Sequence, residues 1–302
     1  MNGNIQLKCS NYVAFSHFHG EAVNNIGLAK VLPDSIYLRM VFLSKLKRKL
    51  DLSNPRSYNE KINWLKINDR KEHYQIMVDK YEAKKYVADK IGEQYVIPTY
   101  GVWDRFEDID FSKLPSNFVL KTTHDSGGVV LINDKNNMDI DKTKDVLEKS
   151  LKNNYYYLGI EWPYKNLKHR IIAEKMITNT VPNDYKFFMF NGKMDSVMVC
   201  TNRASGHPTF RFYDKEWNRL LYQKPELEPE SDVERPENYE KMIRIAEQLS
   251  ENLVHMRVDL YNIDGQIYFG ELTFFDQGGF DTDITLETDL KWGELMDLEK
   301  IK

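Results

Sequence analysis

Arg257, Asp259 and Glu271 stand inside otherwise apolar strands of the stretch RVDLYNIDGQIYFGELTF, which runs from Arg257 to Phe274. A buried carboxylate must be neutralised, paired or bound to a cation. Three chemistries compete here: a structural ion pair of Arg257 with Glu271, a solvated sheet face, or a divalent cation held by Asp259 and Glu271. The turn decides which side chains meet. Asn262 to Gln266 is a strong hairpin signal. A three-residue loop, Ile263 to Gly265, fits it. It sets Arg257 opposite Glu271 and Asp259 opposite Phe269. Arg257, Asp259, Tyr261, Phe269, Glu271 and Thr273 then share one face. Met256, Val258, Leu260, Tyr268, Gly270 and Leu272 form the core face. A two-residue Asp264-Gly265 turn shifts that register and sends the two acids to opposite faces.

Other stretches carry chemistry of their own. In FVLKTTHDSGGVVLI, Lys121 lies inside a strand, where an ammonium needs water or an anion. His124, Asp125, Ser126, Gly127 and Gly128 follow, and then another strand. Such a loop can lay backbone N–H groups over phosphates, with the lysine as counter-charge. It reads equally as a tight hairpin with a snorkelling lysine, and it is not a P-loop. In RIIAEKMI, Glu174, Lys175 and Met176 interrupt an apolar strand, as at a connection between lobes. In DYKFFMF, Asp184, Lys186 and Phe188 share a face. Beyond the next turn, Arg203 adds a cation. Lys186 and Arg203 fit an anion, or charges that guard a sheet edge. Phe274 to Asp281, FFDQGGFD, reads as an acceptor pocket of aromatics and close-approach glycines, or as a plain glycine turn.

The elements that position these residues follow from periodicity. Ser57 to Glu60 is a capping box ahead of Ile62 and Leu65, and Asp79 to Glu82 is a second. Gly92 closes the helix opened by the latter. YVIPTYGVW, NFVLKTTH and GVVLIND read as strands, and Met138 to Asn154 as a helix. HRIIAEKMI and DYKFFMFNGKMDSVMVC read as strands, the second turning at Asn191-Gly192. Lys224 to Asn238 is a polar loop. Pro236 starts an amphipathic helix through about His255. The sum is α+β: helices first, then antiparallel strands with helices packed on them.

The chain has 302 residues, 41% hydrophobic and 13% aromatic, enough for a large core. Its formal net charge of -4 carries no basic surplus for a nucleic-acid partner. Two cysteines, Cys9 and Cys200, argue for a reducing cytoplasm rather than a disulfide framework. No apolar run is long enough for a membrane span, and the first twenty residues lack a signal-peptide pattern. His17 and His19 lack a second ligand cluster. Ser35 to Leu50 is a basic, apolar-rich helix, suited to packing or to weak contact with an anionic membrane surface.

The order of these pieces is more specific than any one of them. PRSYNEKINWLK, then DKY, then a strand lysine before a glycine loop, AEKMI, DYKFFMFNGK and RVDLY…GELTF together resemble the TupA-like branch of the ATP-grasp superfamily, named for teichuronopeptide biosynthesis. The resemblance extends from about Leu32 onward. It implies two α+β lobes whose antiparallel sheets grip ATP, preceded by a mainly helical region. The expected division is 1–78 helical, 79–175 first lobe and 176–302 second lobe with the metal site. By the same resemblance Lys121 contacts the α/β phosphates and His124, Ser126, Gly127 and Gly128 cover them. Glu174, Lys175 and Met176 line the adenine, and Asp184 lies near the ribose. Lys186 approaches the phosphates or substrate, Arg257 stabilises transferring charge, and Arg203 helps at the tetrahedral adduct. Asp259 and Glu271 hold Mg²⁺. Thr273 stands where ATP-grasp ligases often carry Asn. The implied reaction is ATP- and Mg²⁺-dependent amidation through an acyl phosphate, joining a uronic acid of a bacterial surface polysaccharide to an amino acid or amino alcohol. It belongs in the cytoplasm or at the inner face of the membrane. The competing class is a transferase using a nucleotide-sugar donor, for which Asp281-Thr282-Asp283 is the one DxD match.

Overall fold

The computed structural model describes residues 26–125 and 127–301. Five helices come first: α1 (Ile26–Val31), α2 (Asp34–Leu46), α3 (Tyr58–Asn68), α4 (Tyr74–Val78) and α5 (Glu82–Ile91). Ser57 and Glu60 form the reciprocal capping box that starts α3. Asp79 Oδ1 accepts from the Tyr81 and Glu82 amides at 2.8 and 3.0 Å, and so caps α5.

Strands β1 (Thr99–Trp103), β2 (Phe118–Thr122), β3 (Val129–Ile132) and β4 (Ile171–Glu174) form an antiparallel sheet in the order β1-β4-β2-β3. Helices α6 (Ile140–Leu151) and α7 (Tyr156–Gly159) lie between β3 and β4 in the chain. Leu147 of α6 joins Phe118, Leu120, Ile132, Ile171 and Ala173 in this sheet's core.

A larger antiparallel sheet follows: β5 (Asp184–Phe190), β6 (Lys193–Thr201), β7 (Thr209–Tyr213), β8 (Arg219–Leu220), β9 (His255–Ile263) and β10 (Gln266–Thr273), ordered β10-β9-β5-β6-β7-β8. Asn191 and Gly192 both have positive φ, the type I′ turn that their sequence calls for. Helix α8 (Tyr239–Leu249) buries Tyr239, Met242, Ile243, Ile245, Ala246 and Leu249 in the main core. It begins three residues after Pro236 and ends six before His255. His255 instead belongs to β9, where its ring bonds the Met189 carbonyl at 3.0 Å. Helix α9 (Leu286–Leu295) follows, with Trp292 stacked on Phe188 at 4.6 Å.

The β9–β10 hairpin differs from expectation. Ile263 pairs with Gln266, so the loop is Asp264-Gly265 alone. Both have positive φ, 49° and 81°, which is the primed turn that matches strand twist. That turn by itself would separate the acids. Gly270 prevents this by forming a bulge: Phe269 pairs with Leu260, yet Glu271 pairs with Asp259. Phe269 therefore faces the core, 6% exposed, and Tyr268 lies opposite Tyr261 on the other face, reversing the expected places of these two residues. Two residues apart, Phe269 and Glu271 point to opposite sides because one residue is inserted between them.

The glycine loop is equally tight. A Cβ at Gly128 would overlap the Thr122 and Ser150 hydroxyls. Gly128→Ala is expected to cost about 1–3 kcal/mol in urea denaturation; an unchanged midpoint would show that the loop has room to spare.

Candidate active site

Three adjacent rows across the large sheet carry the polar residues singled out above. One row is Lys186, Asp259 and Glu271, on β5, β9 and β10. The next sets Asp184 beside Tyr261 and Tyr268, and the third sets Phe188 beside Arg257 and Thr273. Register alone thus assembles a charged ladder from residues far apart in sequence.

Arg257 is its centre. Nε and Nη2 grip the two oxygens of Asp259 at 2.7 and 2.8 Å, and Nη2 also meets Glu271 Oε1 at 2.7 Å. Nη1 bonds Asp276, which lies just past β10. Burial disfavours the guanidinium charge, but Asp259, Asp276 and Glu271 outweigh it and hold the pKa well above its ordinary value. Burial also opposes ionisation of Asp259; Arg257 and Lys186 prevail and hold it low. Lys186 bonds Asp259 and meets Asp184 at 2.7 Å, and Arg203 meets Asp184 at 3.2 Å. Of the three hairpin chemistries, the ion pair of Arg257 with Glu271 is present, inside a wider network. Glu271 is the open member: its side chain is 38% exposed, with Thr273 Oγ1 donating to Oε1 at 3.0 Å.

The smaller sheet presents a second cluster. Lys121 Nζ meets Glu174 Oε2 at 2.6 Å, and Lys84 Nζ meets Oε1 at 2.5 Å. Burial would raise the Glu174 pKa, but the two ammonium groups hold it below the ordinary carboxylate value. Lys80, Lys84, Lys121 and Glu174 line one cleft with Phe269 and Gly270 of the large sheet. Residues 175–183 connect β4 to β5, so this short segment joins the two sheets. In it, the Lys175 amide bonds the Pro98 carbonyl at 2.9 Å, Lys175 is exposed, and Met176 is half-buried.

Several expected residues lie elsewhere. His124 is 1% exposed, stacked on His169 at 3.6 Å and bonded to the Ser150 and Asn153 carbonyls at 3.2 Å. Burial lowers its pKa to about 4, so it is a neutral residue inside the lobe, beneath the loop. Gly127 and Gly128 form the loop, whose Asp125 is bonded to Thr122 and Ser150. Ser126, His17, His19 and Cys9 lie outside the described residues. Phe274, Phe275 and Phe280 are core residues and offer no open ring to a sugar. Asp281 accepts the Asp283 amide at 2.8 Å, so the DxD match is a buried turn.

Sequence reasoning missed Lys80, Lys84 and Asp276. For the lysines a signal was present: DKYEAK spaces them four apart.

This is an ATP-grasp architecture: two antiparallel sheets, with Lys121 of the smaller one, and Lys80 and Lys84 beside it, across a cleft from Phe269 and Gly270 of the larger. The chain belongs to the TupA-like ATP-grasp family, whose model matches residues 60–297. This is the family that the sequence resembled. No curated protein matches it. Among solved structures, it is similar to D-alanine–D-alanine ligase from Bacillus anthracis complexed with ATP, at 19% identity and a TM-score of 0.42 over 75% of this chain and 63% of that one. The Helicobacter pylori D-alanine–D-alanine ligase gives 11% and 0.43 over 81% and 70%. The L-amino acid ligase from Bacillus licheniformis gives 13% and 0.41 over 67% and 44%.

Glu174→Gln leaves two largely buried ammonium groups without a counter-charge. It is expected to cost about 3–5 kcal/mol at neutral pH in urea denaturation. The wild-type contribution is full above the ordinary carboxylate pKa and is lost as pH falls through the lowered folded value. A neutral-pH loss below about 1 kcal/mol would show that the pair is solvated.

Proposed function

We propose that this chain is an ATP- and Mg²⁺-dependent carboxylate–amine ligase that amidates a uronic acid of a bacterial surface polysaccharide with an amino acid or amino alcohol. Its working parts would be a helical region, 1–78, and lobes 79–175 and 176–302. The observation that carries the reading is the Arg257 network of β9 and β10, together with a cleft where Lys84, Lys121 and Glu174 meet Phe269 and Gly270 of β10. A carboxylate is a poor electrophile until phosphorylated, so such an enzyme must neutralise a moving phosphoryl group.

Lys121 and Lys84 suit the α/β phosphates, beneath the loop of Gly127 and Gly128. Glu174 to Met176 suit the adenine edge and Asp184 the ribose side. Arg257 and Lys186 suit the transferring phosphoryl group, with Arg203 behind them. Asp259 and Glu271 are cross-strand partners, and Glu271 is partly exposed, so the pair fits one Mg²⁺ completed by phosphate and water oxygens. The ion would supply charge neutralisation at the β/γ phosphates. Thr273 orients Glu271 through their hydrogen bond. The polysaccharide substrate rests on the family resemblance. The nucleotide-sugar alternative loses its only motif, because Asp281 serves a turn.

Helix α2 supports a peripheral contact with the cytoplasmic membrane face. Ile36, Met40 and Leu43 are 47, 42 and 51% exposed at helical spacing, a stripe flanked by exposed Arg39, Lys47 and Lys49. Its cations suit an anionic lipid surface, although Arg48 is spent on Asp289. Among the described residues no helix is long and apolar enough to cross a membrane.

Two measurements test these readings. Calorimetry with Mg-ATP should give saturable, magnesium-dependent binding, and Glu271→Gln should lower ATP turnover about 10²–10³-fold while thermal stability changes little. Absence of Mg-ATP binding by the folded protein would overturn the ligase. Sedimentation with phosphatidylglycerol vesicles should retain the protein, and Leu43→Glu should release it. Equal binding by both proteins, or by neither, would dismiss the membrane contact.

A further inference from the structure

Arg211 of β7 is a buried guanidinium that meets no carboxylate. It is 4% exposed, and among the described residues it forms no ion pair. Neutral oxygens hold it instead. Nη1 donates to the Thr201 and Thr209 hydroxyls at 3.1 and 3.0 Å. Nη2 donates to the Ser231 hydroxyl at 3.0 Å, and Nε to the Ser231 carbonyl. A buried charge is ordinarily matched by an opposite one. This place is apart from the Arg257 ladder. Arg211 pairs with Val199, Val199 with Tyr185, and Tyr185 with Leu260. That row alternates with those of Asp184 and Lys186, so Arg211 points to the opposite face of the large sheet.

Ser231 lies in the polar loop between β8 and α8, and the backbone on both sides of it is fixed. Arg219 of β8 pairs with Glu228 at 3.0 Å and with Asp232 at 3.1 Å, and bonds the Pro229 carbonyl. The Tyr213 hydroxyl accepts the Val233 amide at 2.8 Å, and Trp217 Nε1 donates to the Val233 carbonyl at 3.0 Å. Two arginines thus grip one loop, but unequally. Arg219 has two acids, whereas Arg211 has a serine. Of the acids that flank this serine, Asp232 is engaged by Arg219 and Glu230 is exposed. Ser231 is itself exposed. A hydroxyl therefore stands at the surface with an unmatched cation directly behind it. The loop ends at Asn238, whose amide holds the Gly265 carbonyl at 2.8 Å. It spans from β8, at one edge of the sheet, to the tip of the β9–β10 hairpin at the other.

We propose that Ser231 is phosphorylated by a protein kinase and that Arg211 receives the phosphate. The kinase passes the γ-phosphoryl group of ATP to Ser231 Oγ. A new O–P bond forms, the bond to the β-phosphate oxygen breaks, and ADP leaves with its electron pair. The hydroxyl proton goes to the kinase's base. The phosphoserine carries about −1.5 to −2 charge and three acceptor oxygens. Their bonds to the guanidinium are charge-assisted, roughly twice as strong as those of the neutral hydroxyl. Water screens the repulsion from exposed Glu230, while the buried Arg211 is screened far less. The modification fastens the loop to the sheet at mid-span.

The test begins with the full chain carrying phosphoserine at position 231, installed during translation. Its thermal midpoint should lie about 2–4 °C above that of the wild type. Combined with Arg211→Gln, the same modification should give no rise. Ser231→Asp, a smaller anion, should raise the midpoint less, and Ser231→Asn should not raise it; this pair decides the matter if Arg211→Gln does not fold. A midpoint that phosphoserine leaves unchanged or lowers, a rise that survives without Arg211, or equal midpoints for the Asp and Asn variants overturns the site. Phosphopeptide mass spectrometry on the protein from the cells that carry its gene then tests its use. One phosphoryl group on the peptide that contains Ser231 is the expected result. An unmodified peptide, from cells lysed with phosphatase inhibitors, overturns the assignment.

Discussion

A guanidinium surrounded by carboxylates is the constraint on which the site depends. Arg257 cannot shed its charge, so once buried it must be matched by anions placed within hydrogen-bond reach. Asp259, Glu271 and Asp276 meet that demand from β9, β10 and the turn beyond them. Each of those backbone segments is thereby fixed relative to the others. The turn is fixed a second time by Lys66, whose ammonium holds the Gly278 carbonyl, and by Asn63, whose amide holds the Gly279 carbonyl at 2.6 Å. The helical region is thus tied directly to the charged end of the large sheet.

The two sheets face each other with unlike electrostatic designs. On the smaller sheet a single acid, Glu174, lies between two ammonium groups. On the larger, two guanidinium groups, Arg203 and Arg257, and the Lys186 ammonium lie among four acids, Asp184, Asp259, Glu271 and Asp276. The lysine side favours polyphosphate, and the acid-rich side favours a cation with it. On the function proposed above, a magnesium nucleotide would match both at once, which neither sheet would achieve alone.

Much of this was legible in the chain. The capping box at Ser57, the turn at Asn191-Gly192 and the strand positions of Lys121, Lys186, Asp259 and Glu271 all follow from local chemistry. The hairpin register did not, although its cause is visible: Gly270 inside a strand is a bulge signal. Reading the turn as three residues and ignoring that glycine were two errors that nearly cancelled, since both leave Glu271 on the face of Asp259. The placement of His124 and of Phe274, Phe275 and Phe280 was not legible, because local sequence does not say whether a ring ends in a core or at a cleft. Long-range partners were equally hidden. The basic run of α2 looked like a free cationic edge, yet Arg48 is bound to Asp289 and Arg39 to the Leu50 carbonyl at 2.6 Å.

The bulge at Gly270 is also a phase slip. From the tip of the hairpin to Leu260 and Phe269, alternation is set by the two-residue turn. From Asp259 and Glu271 inward, it is set by the sheet and by Arg257. The strand pair therefore carries two independent clocks, and the site keeps time with only the inner one. Length changes at Asp264-Gly265 would be absorbed before they reached the acids. The tip is a natural place to open the chain, splice in a reporter or join new termini, while the charged ladder a few residues away goes on reading the same register.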